Sequence, residues 1–360
     1  MSDGQSPKKA GNRQRTILIV VCVALAFILT ALIAATVYAE TLFGKIDGFS
    51  DETLSQDQIN ALLAETETKP ADFAGVDVDL SKINWGSKPA IVDSGENILN
   101  FLVVGTDSRT GESEGLSDVC ILVTVNKEEK TIYLSSFLRD MYVQIPEYFP
   151  HKFNTAFALG GMDVLHATLE ENFGVTVDGS VSVGFEGFKE VVNAVGGVDI
   201  ELTEDEVWYL DTHPWDSVSY AGVEFQVGMN HMNGDAALAY ARVRGVNDAE
   251  GNGGDFGRTN RQRIVITKIL EKAKSLSIGE MNTLLNELVS MVSTDLTNSE
   301  IVNYALDLFP LLSDCKIQSQ QIPVEGSYYL GWVEQDGGMS VIIVDDFEAN
   351  VDYLKGIMTD

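Results

Sequence analysis

The chain has 360 residues, 45% of them hydrophobic, and sets 24 lysines and arginines against 54 aspartates and glutamates, for a formal charge of −30. Such a surface repels the phosphate backbone and excludes nucleic acid as a partner. Three cysteines are too few for a disulfide framework, and Cys22 falls in an apolar run, leaving Cys120 and Cys315 as the one pair able to bridge; the strand-like neighbours of Cys120 favour a small core residue instead.

Residues 1–15 are polar and basic, with Lys8, Lys9, Arg13 and Arg15. They read as a disordered cytoplasmic tail. The run 16–39 carries no charge across 24 residues. As a helix it extends about 36 Å, enough to cross a hydrocarbon layer of about 30 Å. Cations precede it and Glu40, Asp47, Asp51 and Glu52 follow, so the expected topology is one transmembrane helix with the remainder outside the cell membrane. A cleaved signal peptide ending near Val37-Tyr38-Ala39 is the competing reading, but the apolar run exceeds a normal signal core. Beyond residue 15 the chain keeps 20 cations and 53 carboxylates, a net charge of −33.

Residues 40–96 mix acidic residues with Pro70, Pro89 and several glycines and read as an extracytoplasmic stem, with one short helix over 54–63. A packed domain is expected over 97–360. Its apolar runs at 98–105, 119–126 and 131–137 predict buried strands, and 198–202 another. Apolar spacing predicts helices over 163–173, 185–195, 233–240, 260–274, 281–291, 299–312 and 345–357, with a strand at 315–323. Residues Trp208, Tyr209, Trp215 and Tyr220 read as a loop. Alternating strands and helices give the fold class: α/β, a single α-β-α layered domain with a mixed central sheet.

The chemistry concentrates in two places. The window 240–263 holds Arg242, Arg244, Arg258, Arg261 and Arg263, five of the seven arginines beyond the apolar run; the other two are Arg109 and Arg139. Guanidinium matches phosphate oxygens two at a time, so this clustering in an acidic chain predicts a phosphate or diphosphate pocket, against the alternative of surface ion pairs. Asp107 follows the first predicted strand and Asp118 opens the second, positions where α/β proteins bind ligands. Together they would offer hard oxygen ligands to Mg²⁺; taken singly each reads as a turn cap. Arg139-Asp140 closes the third strand, either as a phosphate clamp or as a structural pair. Lys152 is a further cation, and the glycine-rich 253–258 segment lets backbone amides approach an anion without the GK[ST] of a P-loop. No HExxH metal pair is present.

In order and spacing, NFLVVGTDSR, SDVCILVTVN, LSSFLRDMYVQIP, HKFNTAFALGG, FEGFKEVVNAVGGVDIEL, LAYARVR and GDFGRTNRQR resemble the LytR-CpsA-Psr family of membrane-anchored cell-envelope enzymes. The resemblance covers residues 97–274 strongly and the C-terminal part more loosely. It implies a Gram-positive-type bacterium and an enzyme that moves a phosphoglycan (teichoic acid, capsule or a related wall polymer) from a polyprenyl-pyrophosphate carrier to a sugar hydroxyl of peptidoglycan. It also implies Mg²⁺, or Mn²⁺ in its place, held by Asp107 and Asp118. Carried over by motif, Arg139, Arg242, Arg244 and Arg258 are the pyrophosphate-contacting arginines with Gln262 beside them, and Asp140 is the candidate base. The family's usual Arg before Ser117-Asp118 is Leu116 here, so either one phosphate contact is missing or Arg109 or Lys152 substitutes for it. Hydrolysis of the same carrier, or binding of it without catalysis, are the alternatives.

Overall fold

The computed structural model describes residues 48–49, 55–63, 67–92, 95–106, 116–213, 224–277, 279–280, 292–334 and 338–359. The expected membrane span, the 281–291 helix, Asp107, Arg109, Trp215 and Tyr220 lie outside these residues. Among the described residues no helix is long and apolar enough to cross a membrane.

In chain order the elements are α1 (Gln56–Leu63), β1 (Val76–Asp77), β2 (Ile98–Thr106), β3 (Ser117–Asn126), β4 (Thr131–Phe137), β5 (Met141–Val143), β6 (His151–Lys152), α2 (Thr155–Phe173), β7 (Gly179–Val183), α3 (Phe185–Ala194) and β8 (Val198–Leu202). There follow α4 (Glu204–Thr212), β9 (Gly228–Met232), α5 (Gly234–Ala241), α6 (Gly254–Ala273), β10 (Val292–Thr294), α7 (Asn298–Leu312), β11 (Lys316–Ile322), β12 (Tyr328–Val333), β13 (Met339–Val344) and α8 (Phe347–Met358). The central sheet runs β10-β7-β2-β3-β4-β11 and is mixed, as expected: β2, β3 and β4 are antiparallel neighbours, while β7 and β11 pair parallel.

This sheet is not alone. Among the described residues a second sheet, β1-β12-β13-β5-β6, and a hairpin, β8-β9, accompany the expected mixed central sheet. Residues 67–92, read as stem, in fact pack on the second sheet: β1 pairs parallel with β12, and Val78, Leu80, Ile83 and Trp85 cover Tyr142, Val341 and Ile343. Burial of these side chains is what ties that segment to the domain.

The strands form because both faces of the central sheet are covered. In β2, alternation sends Ile98, Leu102 and Val104 into the core beneath α2 and α8, while Leu99, Phe101 and Val103 face the other way. On the opposite face Ile121, Val125, Ile132 and Leu134 pack under α6 and α7 through Ile266, Leu270 and Leu308. Period-2 burial on a double-covered sheet explains the near-continuous apolar runs.

Helix α2 starts at Thr155, eight residues before the expected position, because Gly160 and Gly161 leave helical geometry and break the pattern midway; Gly161 has φ +62°. Helix α4 occupies the stretch read as a loop and includes Trp208 and Tyr209. Its start is a capping box, in which Thr203 Oγ1 accepts from Glu206 N and the Glu206 carboxylate accepts from Thr203 N at 2.9 Å. At the start of α5 a Cβ on Gly234 would lie 2.2 Å from the Lys189 carbonyl oxygen. Only glycine lets α5 approach α3 this closely, and these two helices wall the site described below.

Cys120 and Cys315 are buried and unbridged, and burial raises both thiol pKa values. A chain denatured without reductant is therefore expected to release three titratable thiols, counting Cys22. A count of one would mean a bridge and contradict this packing.

Candidate active site

Strand ends and helix ends converge at one edge of the central sheet. Thr106, the last residue of β2, pairs with Ser117 after a register shift, and Asp118 follows on β3. Arg139 and Asp140 lie just past the end of β4. Helix α5 ends at Ala241 with Arg242 as its C-cap, and Arg244 follows. The first turn of α6 contributes Asp255 and Arg258.

Charged groups interlock here. Arg139 Nη1 donates to Asp118 Oδ1 at 2.8 Å, and Arg139 Nε lies 3.2 Å from Asp255 Oδ1 and 3.5 Å from Asp140 Oδ2. Arg258 Nη2 is 2.7 Å from Asp255 Oδ1, and its Nη1 is 3.7 Å from Asp118 Oδ1. Burial lowers the Arg258 pKa to about 10, with Arg139 and Arg244 pushing the same way against Asp255 and Asp118. Burial also works against charge on Arg139, but the facing carboxylates of Asp255, Asp140 and Asp118 outweigh it and raise its pKa. Asp255 is raised, chiefly by burial, against the pull of Arg258 and Arg139.

Several atoms in this network sit at ion-pair distance without hydrogen-bond geometry. Arg139 Nε, Arg258 Nε and Nη2, and both Asp255 oxygens are buried with no hydrogen-bond partner among the described residues. A buried polar atom in this state carries an unrecovered desolvation cost, which a multiply charged ligand would relieve.

Beside the charged cluster opens an apolar slot with about 680 Å³ of free space, counting its mouth. Val103 and Val119 form its sheet side, with Phe185, Phe188, Leu238 and Ile266 on the helices that wall it. Asp118, Arg242, Arg244, Arg258 and Gln262 close one end. The Arg242 guanidinium also lies over the Phe185 ring, 4.5 Å from its centroid. The arrangement suits a long apolar chain ending in an anion: the slot takes the chain, and the forked guanidiniums take phosphate oxygens.

Of the residues expected from sequence, Asp118, Arg139, Asp140, Arg242, Arg244, Arg258 and Gln262 therefore come together. Lys152 stands apart from the slot: its Nζ pairs with Glu67 Oε1 at 2.6 Å and Asp140 Oδ1 at 3.3 Å, so it supports Asp140 from the far side. The arginine-rich window divides three ways. Arg261 is fully buried and donates from Nε to Glu206 Oε1 at 2.7 Å, a structural role. Arg263 points to another cleft. Asp255 was missed; its signal was an aspartate three residues before Arg258 in the first turn of a helix, the spacing of an ion pair.

Fold and site thus define a mixed α/β protein with an apolar slot capped by arginines. The chain belongs to the LytR-CpsA-Psr family, whose LytR_cpsA_psr description matches residues 59–345. It is 32% identical over 254 residues, 69% of this chain and 74% of the relative, to the polyisoprenyl-teichoic acid–peptidoglycan teichoic acid transferase TagU of Bacillus anthracis. Among solved structures it resembles B. subtilis TagT at 27% identity and a TM-score of 0.55, covering 79% of this chain and 97% of TagT. It likewise resembles TagT with bound octaprenyl pyrophosphate lipid at 25% identity and a TM-score of 0.54, covering 79% and 98%.

Proposed function

We propose that this protein is an enzyme that transfers a phosphoglycan from a polyprenyl-pyrophosphate carrier to a sugar hydroxyl of peptidoglycan. The observation that carries this reading is the apolar slot ending at Arg242, Arg244 and Arg258 beside Asp118. The relatives' printed activity and the octaprenyl pyrophosphate held by TagT support it.

In this reading the prenyl chain lies between the sheet and α3, α5 and α6. The diphosphate supplies counter-charge to Arg242, Arg244 and Arg258 and shares Arg139 with Asp140, with Gln262 donating beside them. The acceptor oxygen forms a bond to the glycan-side phosphorus as the phosphorus–oxygen bond to polyprenyl phosphate breaks, and Asp140 receives the hydroxyl proton. Lys152 and Arg139 hold the Asp140 carboxylate in place. The arginines neutralise charge growing on the leaving phosphate, which is where preorganised donors contribute most to rate. Arg109 remains a proposed further phosphate contact in place of the arginine absent at Leu116.

Mg²⁺, or Mn²⁺, fits the donor set: a hard carboxylate oxygen from Asp118, another from Asp107, and phosphate oxygens and waters for the rest. Of the orphaned charged atoms in this cluster, the two Asp255 carboxylate oxygens are the ones a cation would satisfy. Bound there, the cation would supply Lewis-acid neutralisation of the phosphoryl oxygens. The charge-free run at 16–39 supports a single-pass anchor in the cell membrane that leaves this domain outside, facing its lipid donor and the wall.

The test incubates the full-length protein in detergent with a short-chain polyprenyl-pyrophosphoryl oligosaccharide and nascent peptidoglycan, with and without Mg²⁺, following phosphodiester formation by mass spectrometry. Attachment that needs Mg²⁺ and is lost in Asp118→Ala is the expected result. Free phosphorylated glycan would make the protein a hydrolase, and tight lipid binding with no turnover would make it a binding protein.

A further inference from the structure

Helix α6 has two working faces. Arg258, Gln262 and Ile266, spaced four apart, look into the apolar slot. Phe256 and Asn260 lie on the other side, because a two-residue offset from Arg258 or Gln262 turns the helix by about 200°, and Arg263, about 100° on from Gln262, joins them. They line a polar cleft with about 1210 Å³ of free space, counting its open mouth, whose far wall is the end of β11 and the loop that follows.

The floor of the cleft is Arg263, only 7% exposed. Its Nη2 donates to Asn260 Oδ1 at 2.9 Å, while Nε and Nη1 have no hydrogen-bond partner among the described residues. Asn260 is itself fixed by donating to Asp248 Oδ2 at 2.9 Å. Phe256 and Tyr328 stack at 5.5 Å with 22° between their planes, and Gln320, Gln321, Glu250 and Glu325 complete the lining.

This chemistry does not suit an anion, since two carboxylates face a single guanidinium. Amides, carboxylates and one guanidinium around an aromatic pair suit a ligand rich in groups that both donate and accept, with apolar C–H faces to lie on the rings. A glycan of acetylated amino sugars has those properties. Position narrows the choice further. Leu138 N donates to the Ile322 carbonyl at 2.8 Å, so the end of β11 adjoins the segment that carries Arg139 and Asp140. Gly253 and Phe256 of the cleft flank Asp255 on the α6 first turn. A sugar in the cleft thus approaches the charged cluster from the side opposite the apolar slot.

We propose that this cleft binds the acceptor glycan, an N-acetylated amino-sugar chain, and directs its hydroxyl toward Asp140; the proposal rests on the transferase reading above. The test uses the full-length protein in detergent and chitotetraose, a chain of four N-acetylglucosamines, as probe. Binding is measured by calorimetric titration for the wild type, Gln320→Ala and Glu325→Ala, with Tyr328→Ala added where its thermal melt matches the wild type. Loss of one polar contact should raise the Kd for chitotetraose about tenfold. In the transfer assay the KM for acceptor should rise by a similar factor while the KM for lipid donor stays put. Unchanged chitotetraose binding in Gln320→Ala and Glu325→Ala, or no binding by the wild type, overturns the proposal. A wild type that binds chitotetraose through these residues yet never turns over lipid donor would overturn the transferase reading and leave the cleft assigned.

Discussion

Arg258→Ala is expected to lower glycan transfer by about 10²- to 10³-fold, the usual cost of removing a preorganised donor at a developing anion. Among the described residues Arg258 is the one arginine that both closes the slot and reaches into the carboxylate cluster, 2.7 Å from Asp255 and 3.7 Å from Asp118. It is 2% exposed, so the charge it presents acts in a site with little water to screen it. With a pKa near 10 it stays protonated at neutral pH despite burial. Its removal leaves Asp255 beside Arg139 at 3.2 Å, so the carboxylate keeps a partner and the fold should survive. Arg258→Lys should recover part of the rate, because a point charge restores attraction without the fork. The measurement is kcat/KM for lipid donor, paired with a thermal melt. Wild-type turnover in a folded Arg258→Ala protein would remove the arginine end of the slot from the mechanism.

Much of this site was legible because its residues sit at the ends of strands that announce themselves. The runs at 98–105, 119–126 and 131–137 are buried on both faces, and so Asp118 and Arg139-Asp140 could be placed at strand ends from sequence. Short elements were not legible. Met141–Val143 and His151–Lys152 carry two or three residues each, too few to show a period, and they owe their strand form to neighbours distant in sequence such as Ile342 and Ile343. That is why the second sheet went unseen and why residues 67–92 looked like a stem. The arginine window shows a different limit. Its composition pointed to phosphate, but the window is a helix, and helical rotation sends Arg258, Arg261 and Arg263 to three environments. Periodicity gives the angles between them; only the packing of α6 against the sheet says which one faces the slot.

Arg261→Met is expected to destabilise the protein by about 3–5 kcal/mol, since it strips the partner from a buried carboxylate. Arg261 and Glu206 are 0% and 1% exposed. Nε of Arg261 donates to Glu206, while Nη1 and Nη2 donate to the carbonyls of Val243 and Val246, each at 3.1 Å. The guanidinium therefore ties α6 to the capping box of α4 and to the turn that carries Arg244. Substitution leaves Glu206 uncompensated and two carbonyls short of a donor. Adding Glu206→Leu should return part of the loss by removing the stranded charge, though not all of it, because the carbonyls stay unpaired. Urea unfolding of the single and double variants measures both effects, and a single variant within about 1 kcal/mol of wild type would contradict the account. The same contacts predict what happens to activity in the fraction that folds. With the Val243–Val246 turn no longer held, Arg244 loses its fixed aim, and donor KM should rise before kcat falls, the reverse of the Arg258 variant, whose loss lies in the reacting state.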